Sequence, residues 1–121
     1  MIGYVTIGSN DLERSKKFYD ELLAELGGKR AFGSDRMQGY RGGQGGMLAV
    51  CTPYDGKKAS GGNGTMVALA AASKEQVDKV HAKALSLGAT DEGAPGARSD
   101  TFYGAYFRDL DGNKLCVFKA G

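Results

Sequence analysis

The chain has 121 residues, 41% apolar and 25% charged, with a net charge of +2; this is the make-up of one ordinary globular domain with a small core. Lysine and arginine are spread along the chain instead of forming a basic stripe with interleaved aromatics, which argues against a nucleic-acid partner. No apolar run approaches the roughly 18–20 residues that span a bilayer, and no charged start leads into an apolar block as in a signal peptide. A cytoplasmic protein without a membrane partner is expected. Its two cysteines, Cys51 and Cys116, lie within apolar runs and read as reduced, buried thiols.

Taken in order, Gly3 to Ile7 is β-branched and aromatic, and reads as a strand. Asn10 or Asp11 can cap a helix start, and Glu13 lies three residues after Asn10 as in a capping box. Leu12, Tyr19, Leu22, Leu23 and Leu26 then recur at helical spacing, so a helix is predicted from about Asp11 to Leu26, stopped by Gly27-Gly28. Short pieces at Lys29–Phe32, Met37–Arg41 and Met47–Cys51 read as three strands, and Pro53-Tyr54-Asp55-Gly56 as the turn that ends them. The 20 glycines are far above the usual ~7%. They cluster at 42–46, 61–64 and 93–96, where they mark turns and loops. No glycine-rich phosphate-binding motif is present.

The second half repeats the order. Met66 to Ala70 reads as a strand and Ser73-Lys74-Glu75-Gln76 as a capping box. Val77, Val80, Ala84, Leu85 and Leu87 give a helix its apolar face, and Gly88 ends it. Three further strands are predicted near Ala89–Glu92, Thr101–Arg108 and Lys114–Lys119, with Asp109-Leu110-Asp111-Gly112-Asn113 as the last turn. That turn lacks the glycine and glutamate positions of a calcium loop. The repeat offset is about 62 residues, so Tyr4 matches Met66. One domain, 1–121, is expected, with module one at about 1–56, a glycine-rich crossover at 57–64 and module two at about 65–121. Two β-α-β-β-β modules whose helices cover one sheet face would leave the other face around a cleft.

Three stretches are similar to the vicinal oxygen chelate superfamily of glyoxalases, extradiol dioxygenases and bleomycin-resistance proteins. They are Ile2–Ile7 with Asp11–Tyr19, Gly61–Val67, and Tyr103–Leu115, the last with Leu110 where proline is usual. The resemblance implies an α+β fold of two paired modules, a bowl-shaped, mostly antiparallel sheet around a cleft, and a homodimer. It also implies metal-ligand positions in the first and last strands of each module. Those positions fall at Tyr4, about Ala49, Met66 and Cys116. The family's histidines and glutamates are replaced at each, so no metal and no cofactor are expected.

The single histidine, His81, falls in the second helix, away from the cleft. By the family's layout Arg98, Asp100, Phe102 and Tyr103 flank the other side, an aromatic wall with one cation. The resulting candidates are Tyr4, Ala49, Met66, Arg98, Phe102, Tyr103 and Cys116. Metal-independent binding of a small hydrophobic or aromatic molecule, including sequestration of a toxic compound, is the leading expectation. An enzyme using tyrosine or cysteine acid–base chemistry and a non-catalytic dimeric interaction module are the alternatives.

Overall fold

The computed structural model describes residues 1–121, which divide into two units, Met1–Gly61 and Gly62–Gly121. In the first, the order is β1 (Tyr4–Gly8), α1 (Leu12–Ala24), β2 (Lys29–Gly33), β3 (Met37–Arg41) and β4 (Met47–Cys51). In the second it is β5 (Val67–Ala70), α2 (Lys74–Ser86), β6 (Thr90–Ser99), β7 (Phe102–Arg108) and β8 (Lys114–Ala120). The fold is therefore α+β with two β-α-β-β-β modules. The sheets run β1-β4-β3-β2 and β5-β8-β7-β6. In each, the first and last strands pair in parallel and the remaining neighbours antiparallel.

Each helix is held by its buried stripe. In α1 this stripe is Ser15, Phe18, Tyr19, Leu22 and Leu23; in α2 it is Val77, Val80, His81 and Ala84. Both follow the i, i+3, i+4, i+7 spacing of one helix face. Leu85 falls off that stripe and is exposed, and Leu87 lies beyond the helix as its C-cap, contrary to the expected apolar face. Against these stripes pack Ile7, Tyr40, Leu48 and Val50 in one module, and Ala105, Phe107, Leu115 and Val117 in the other, all buried.

The helix ends differ from expectation in small, explicable ways. Asp11 caps α1 by accepting from the Arg14 N–H at 3.1 Å. Asn10 instead reaches the crossover: its Oδ1 accepts from Ala59 N–H at 2.8 Å, and its Nδ2 donates to the Ala59 carbonyl at 3.4 Å. Glu13 pairs with Lys16 at 3.2 Å. α1 stops at Ala24 because Glu25 and Leu26 bond back to Leu22 and Leu23 in tighter i→i−3 turns. Gly27 then takes a positive φ of 75° and Gly28 N–H closes on Leu23 at 2.7 Å. Ser73 caps α2 through Gln76 N–H, and Gln76 Oε1 accepts from Ala72 N–H at 2.6 Å.

The largest difference is β6. A four-residue strand was expected near Ala89–Glu92, with a loop at Gly93–Gly96; the strand runs ten residues, to Ser99. Proline and glycine are tolerated because β6 is an edge strand with register breaks at Asp91/Gly93, Gly93/Gly96 and Ala97/Ser99. Cys51 also departs from expectation: it ends an apolar run at the close of β4 and is only half-buried. The last turn is a hairpin, as its residues suggest. Asp109 Oδ1 accepts from the N–H groups of Asp111 and Asn113, both at 2.9 Å, and Gly112 supplies the positive φ of 85°.

Candidate functional site

Each sheet has one face under its helix and one face turned away from it. In the first module Tyr40 marks the helix side, since its hydroxyl donates to Asp20 Oδ1 of α1 at 2.9 Å. Burial pushes the Asp20 carboxyl up, but its bonds from Arg30 and Tyr40 outweigh this and hold it below the ordinary carboxylate range. Because side chains alternate along a strand, the open face carries Tyr4, Thr6, Met37, Gly39, Ala49 and Cys51.

A bulge at Ala31 changes what covers that face. Arg30 lies opposite Tyr40 on the helix side and forks onto Asp20 with two 2.9 Å bonds. Two residues later Phe32 lies opposite Gly39, on the other side. A Cβ on Gly39 would stand 2.3 Å from the Phe32 ring, so the ring rests on bare backbone. Tyr4 meets it edge-on at 6.1 Å between centroids and is itself 56% exposed. Ala49, the cross-strand partner of Gly39, is 0% exposed. Beyond this aromatic cover, at the end of β1 and β4, an open depression of about 440 Å³ is lined by Thr6, Arg36, Cys51, Tyr54 and Lys58 among others. Arg36 is fixed there by a 2.5 Å bond to the Thr52 carbonyl and lies 5.3 Å from the Tyr54 ring centre.

In the second module Tyr103 is on the helix side. Its hydroxyl donates to Asp78 Oδ1 of α2 at 2.7 Å, and Lys74 lies over its ring. The bond to Asp78 pushes the Tyr103 phenol pKa up, with burial adding to it. His81 joins the same side, 3.1 Å from Asp91 and edge-on to Phe107. The open face therefore holds Phe102, Tyr106, Arg108, Lys114, Cys116 and Phe118, with Gly104 between the aromatics and Arg108 paired with Glu92. Phe102 and Phe118 stack at 5.2 Å with planes 7° apart. Gly104 makes this possible, since a Cβ there would stand 2.9 Å from Phe102. Tyr106 leans over Gly93, where a Cβ would come within 3.0 Å of its ring. The two modules thus place one aromatic over one glycine by opposite means: Phe32 over Gly39 from the edge strand, Tyr106 over Gly93 from the inner strand.

Two cations flank Tyr106. The Arg98 guanidinium carbon lies 5.4 Å and Lys114 Nζ 5.7 Å from its ring centre. Cys116, opposite Tyr106 on β8, is 1% exposed. Burial pushes its thiol pKa up; a bond to Tyr106 and the charges of Arg98 and Lys114 act the other way without overcoming it.

Of the residues expected to line a site, Arg98 and Cys116 are brought together around Tyr106 on the second sheet, and Phe102 lies on the same face farther along, stacked on Phe118. Tyr103 is not with them, because adjacent residues of a strand face opposite sides. Tyr4 and Ala49 share the open face of the first sheet. Met66, just before β5, is 45% exposed. Tyr106, Lys114 and Phe118 were not anticipated, though the parity of β7 and β8 places them. The metal-ligand positions offer an exposed phenol, a methyl, an exposed thioether and a thiol held protonated. In neither unit do these side chains suit a divalent ion preferring imidazole and carboxylate, and no three His, Cys, Asp or Glu side chains gather in a metal-binding group.

The family profile described as glyoxalase/bleomycin resistance protein/dioxygenase superfamily matches residues 1–117. The chain is 43% identical to a glyoxalase/bleomycin resistance protein from Albidiferax ferrireducens T118, covering 100% of this chain and 99% of that one, with a TM-score of 0.92. A glyoxalase/bleomycin resistance protein/dioxygenase family enzyme from Burkholderia phytofirmans PsJN shares the fold at 19% identity, TM-score 0.81 and 98% coverage of both chains. So does a lactoylglutathione lyase from Agrobacterium tumefaciens, at 19% identity and TM-score 0.72, covering 98% of this chain and 92% of that one. Among curated proteins no sequence match was found.

Proposed function

This chain belongs to the glyoxalase/bleomycin resistance protein/dioxygenase superfamily, and from that premise we propose that it binds a small aromatic or hydrophobic molecule without a metal. The observation that carries the reading is the open face of β7 and β8. There Phe102 and Phe118 stack on the same face as Tyr106, and all three are only partly buried. A stacked pair contributes about 0.5–1.5 kcal/mol beyond its buried area, and the same surfaces offer that gain to a flat ligand. Sequestration of a toxic compound fits this binding role. A cationic drug does not suit a face already carrying Arg98 and Lys114.

Acid–base catalysis through Cys116 is the weaker reading, because a buried thiol with a raised pKa supplies little thiolate at neutral pH. A thermal-shift screen against aromatic compounds, run in excess EDTA, tests the proposal. Saturable stabilisation is expected, and Phe118→Ala is expected to remove most of it. Stabilisation that Phe118→Ala leaves intact, or none for any compound, counts against it.

A further inference from the structure

We propose that the ligand of the β7–β8 face is an anion, a flat aromatic carboxylate whose acid group sits at Arg98 and Lys114. This rests on the aromatic-binding reading above and narrows it to one chemical class.

Arg30, Arg108 and Lys16 have carboxylate partners in Asp20, Glu92 and Glu13, whereas Arg36 is held by a backbone carbonyl and a ring. Arg98 and Lys114 likewise have no carboxylate partner. Arg98 Nη1 and Nη2 donate to the Gly96 and Ala94 carbonyls at 2.9 and 2.7 Å, and its other contact is the Tyr106 ring. Lys114 Nζ has only that ring. Two like charges are thus held at one aromatic side chain and neither is paired with a carboxylate; the cation opposite Lys114 on that face, Arg108, already has its charge met by Glu92 at 2.7 Å. Such an arrangement repels itself, and an anion placed there relieves it.

The guanidinium is also built into place. The register break between Ala97 and Ser99 sets Arg98 out of the regular alternation. Its head lies over two glycines, where a Cβ on Gly96 would come 3.0 Å from Nη1 and one on Gly93 3.4 Å from Nη2. Side chains at either position would displace it. The two carbonyls fix its plane while leaving the remaining N–H donors of the fork available. A fixed guanidinium loses little freedom when it takes a carboxylate. The stacked Phe102–Phe118 pair lies farther along the same strands, so a planar ring can rest on the aromatics while its acid group reaches the cations.

The test compares 2-naphthoate with neutral 2-naphthamide by NMR titration of isotope-labelled protein, up to millimolar ligand. Wild type, Arg98→Gln/Lys114→Gln and the control Lys79→Gln, on the exposed side of α2, are each titrated. Naphthoate is expected to shift Phe102, Tyr106 and Phe118 resonances saturably, at least about tenfold more tightly than the amide, with affinity falling as salt rises. The double variant is expected to bind acid and amide alike, and Lys79→Gln to behave as wild type. Equal affinity of the acid and the amide at this face in wild type would overturn the anion proposal and leave aromatic binding standing. Absence of saturable shifts from either compound, or shifts confined elsewhere, would overturn both.

Discussion

Cys116 and Cys51 differ in what surrounds the sulfur, and their reactivity should follow. Cys116 lies on the inner part of the sheet, with its pKa raised by burial, whereas Cys51 opens onto the depression beside Arg36 and Lys58. Alkylation of the folded protein at neutral pH should label Cys51 well before Cys116, read by mass spectrometry; equal rates would contradict the buried placement. Asp20 carries a pH signature. Its pKa in the fold lies below the ordinary 3.8, so its stabilising effect is complete above that value and is lost as pH falls through the folded pKa. The effect is modest because both partners are more than a third exposed. Asp20→Asn should lower Tm at neutral pH and lessen its further fall below about pH 4. Tyr103 and Tyr106 illustrate what composition hides. Both belong to an aromatic strand, yet Tyr103 serves α2 and Tyr106 the open face, and only strict alternation separates them.

At the level of elements, the helices were legible because capping residue, apolar period and glycine stop agree in both halves. Asp11→Ala and Ser73→Ala should each cost about 1 kcal/mol in denaturant unfolding. The edge strands were less legible. Their bulges follow from pairing across the sheet, which a local pattern does not encode, and Gly93, Pro95 and Gly96 read locally as a loop. Gly39 tests the bulge logic: Gly39→Ala places a methyl where Phe32 rests, at 2.3 Å. The ring is partly exposed and can swing out, so a loss of about 1 kcal/mol is expected, at the low end for overpacking. The Tyr4–Phe32 ring contact should disappear from NMR spectra. Asn10 tests the crossover. Asn10→Ala removes both bonds to Ala59, and faster amide exchange at residue 59 is expected, with α1 exchange little changed.

For the molecule as a whole, the repeat of β-α-β-β-β was readable from the sequence, and the family profile and the 43% identical relative establish the superfamily. A homodimer is the assembly we propose. Light scattering should give twice the 12.7 kDa chain mass, and the chain mass alone would contradict it. The site was readable in part. The substituted ligand positions at Tyr4, Ala49, Met66 and Cys116 could be located by resemblance, but what stands near them depends on which strand bulges and which glycine leaves room. Binding without a metal is the central claim, and calorimetric titration of 2-naphthoate into EDTA-stripped protein tests it most directly. The same affinity is expected before and after adding nickel, zinc or manganese; binding that appears only once a metal is restored would contradict it.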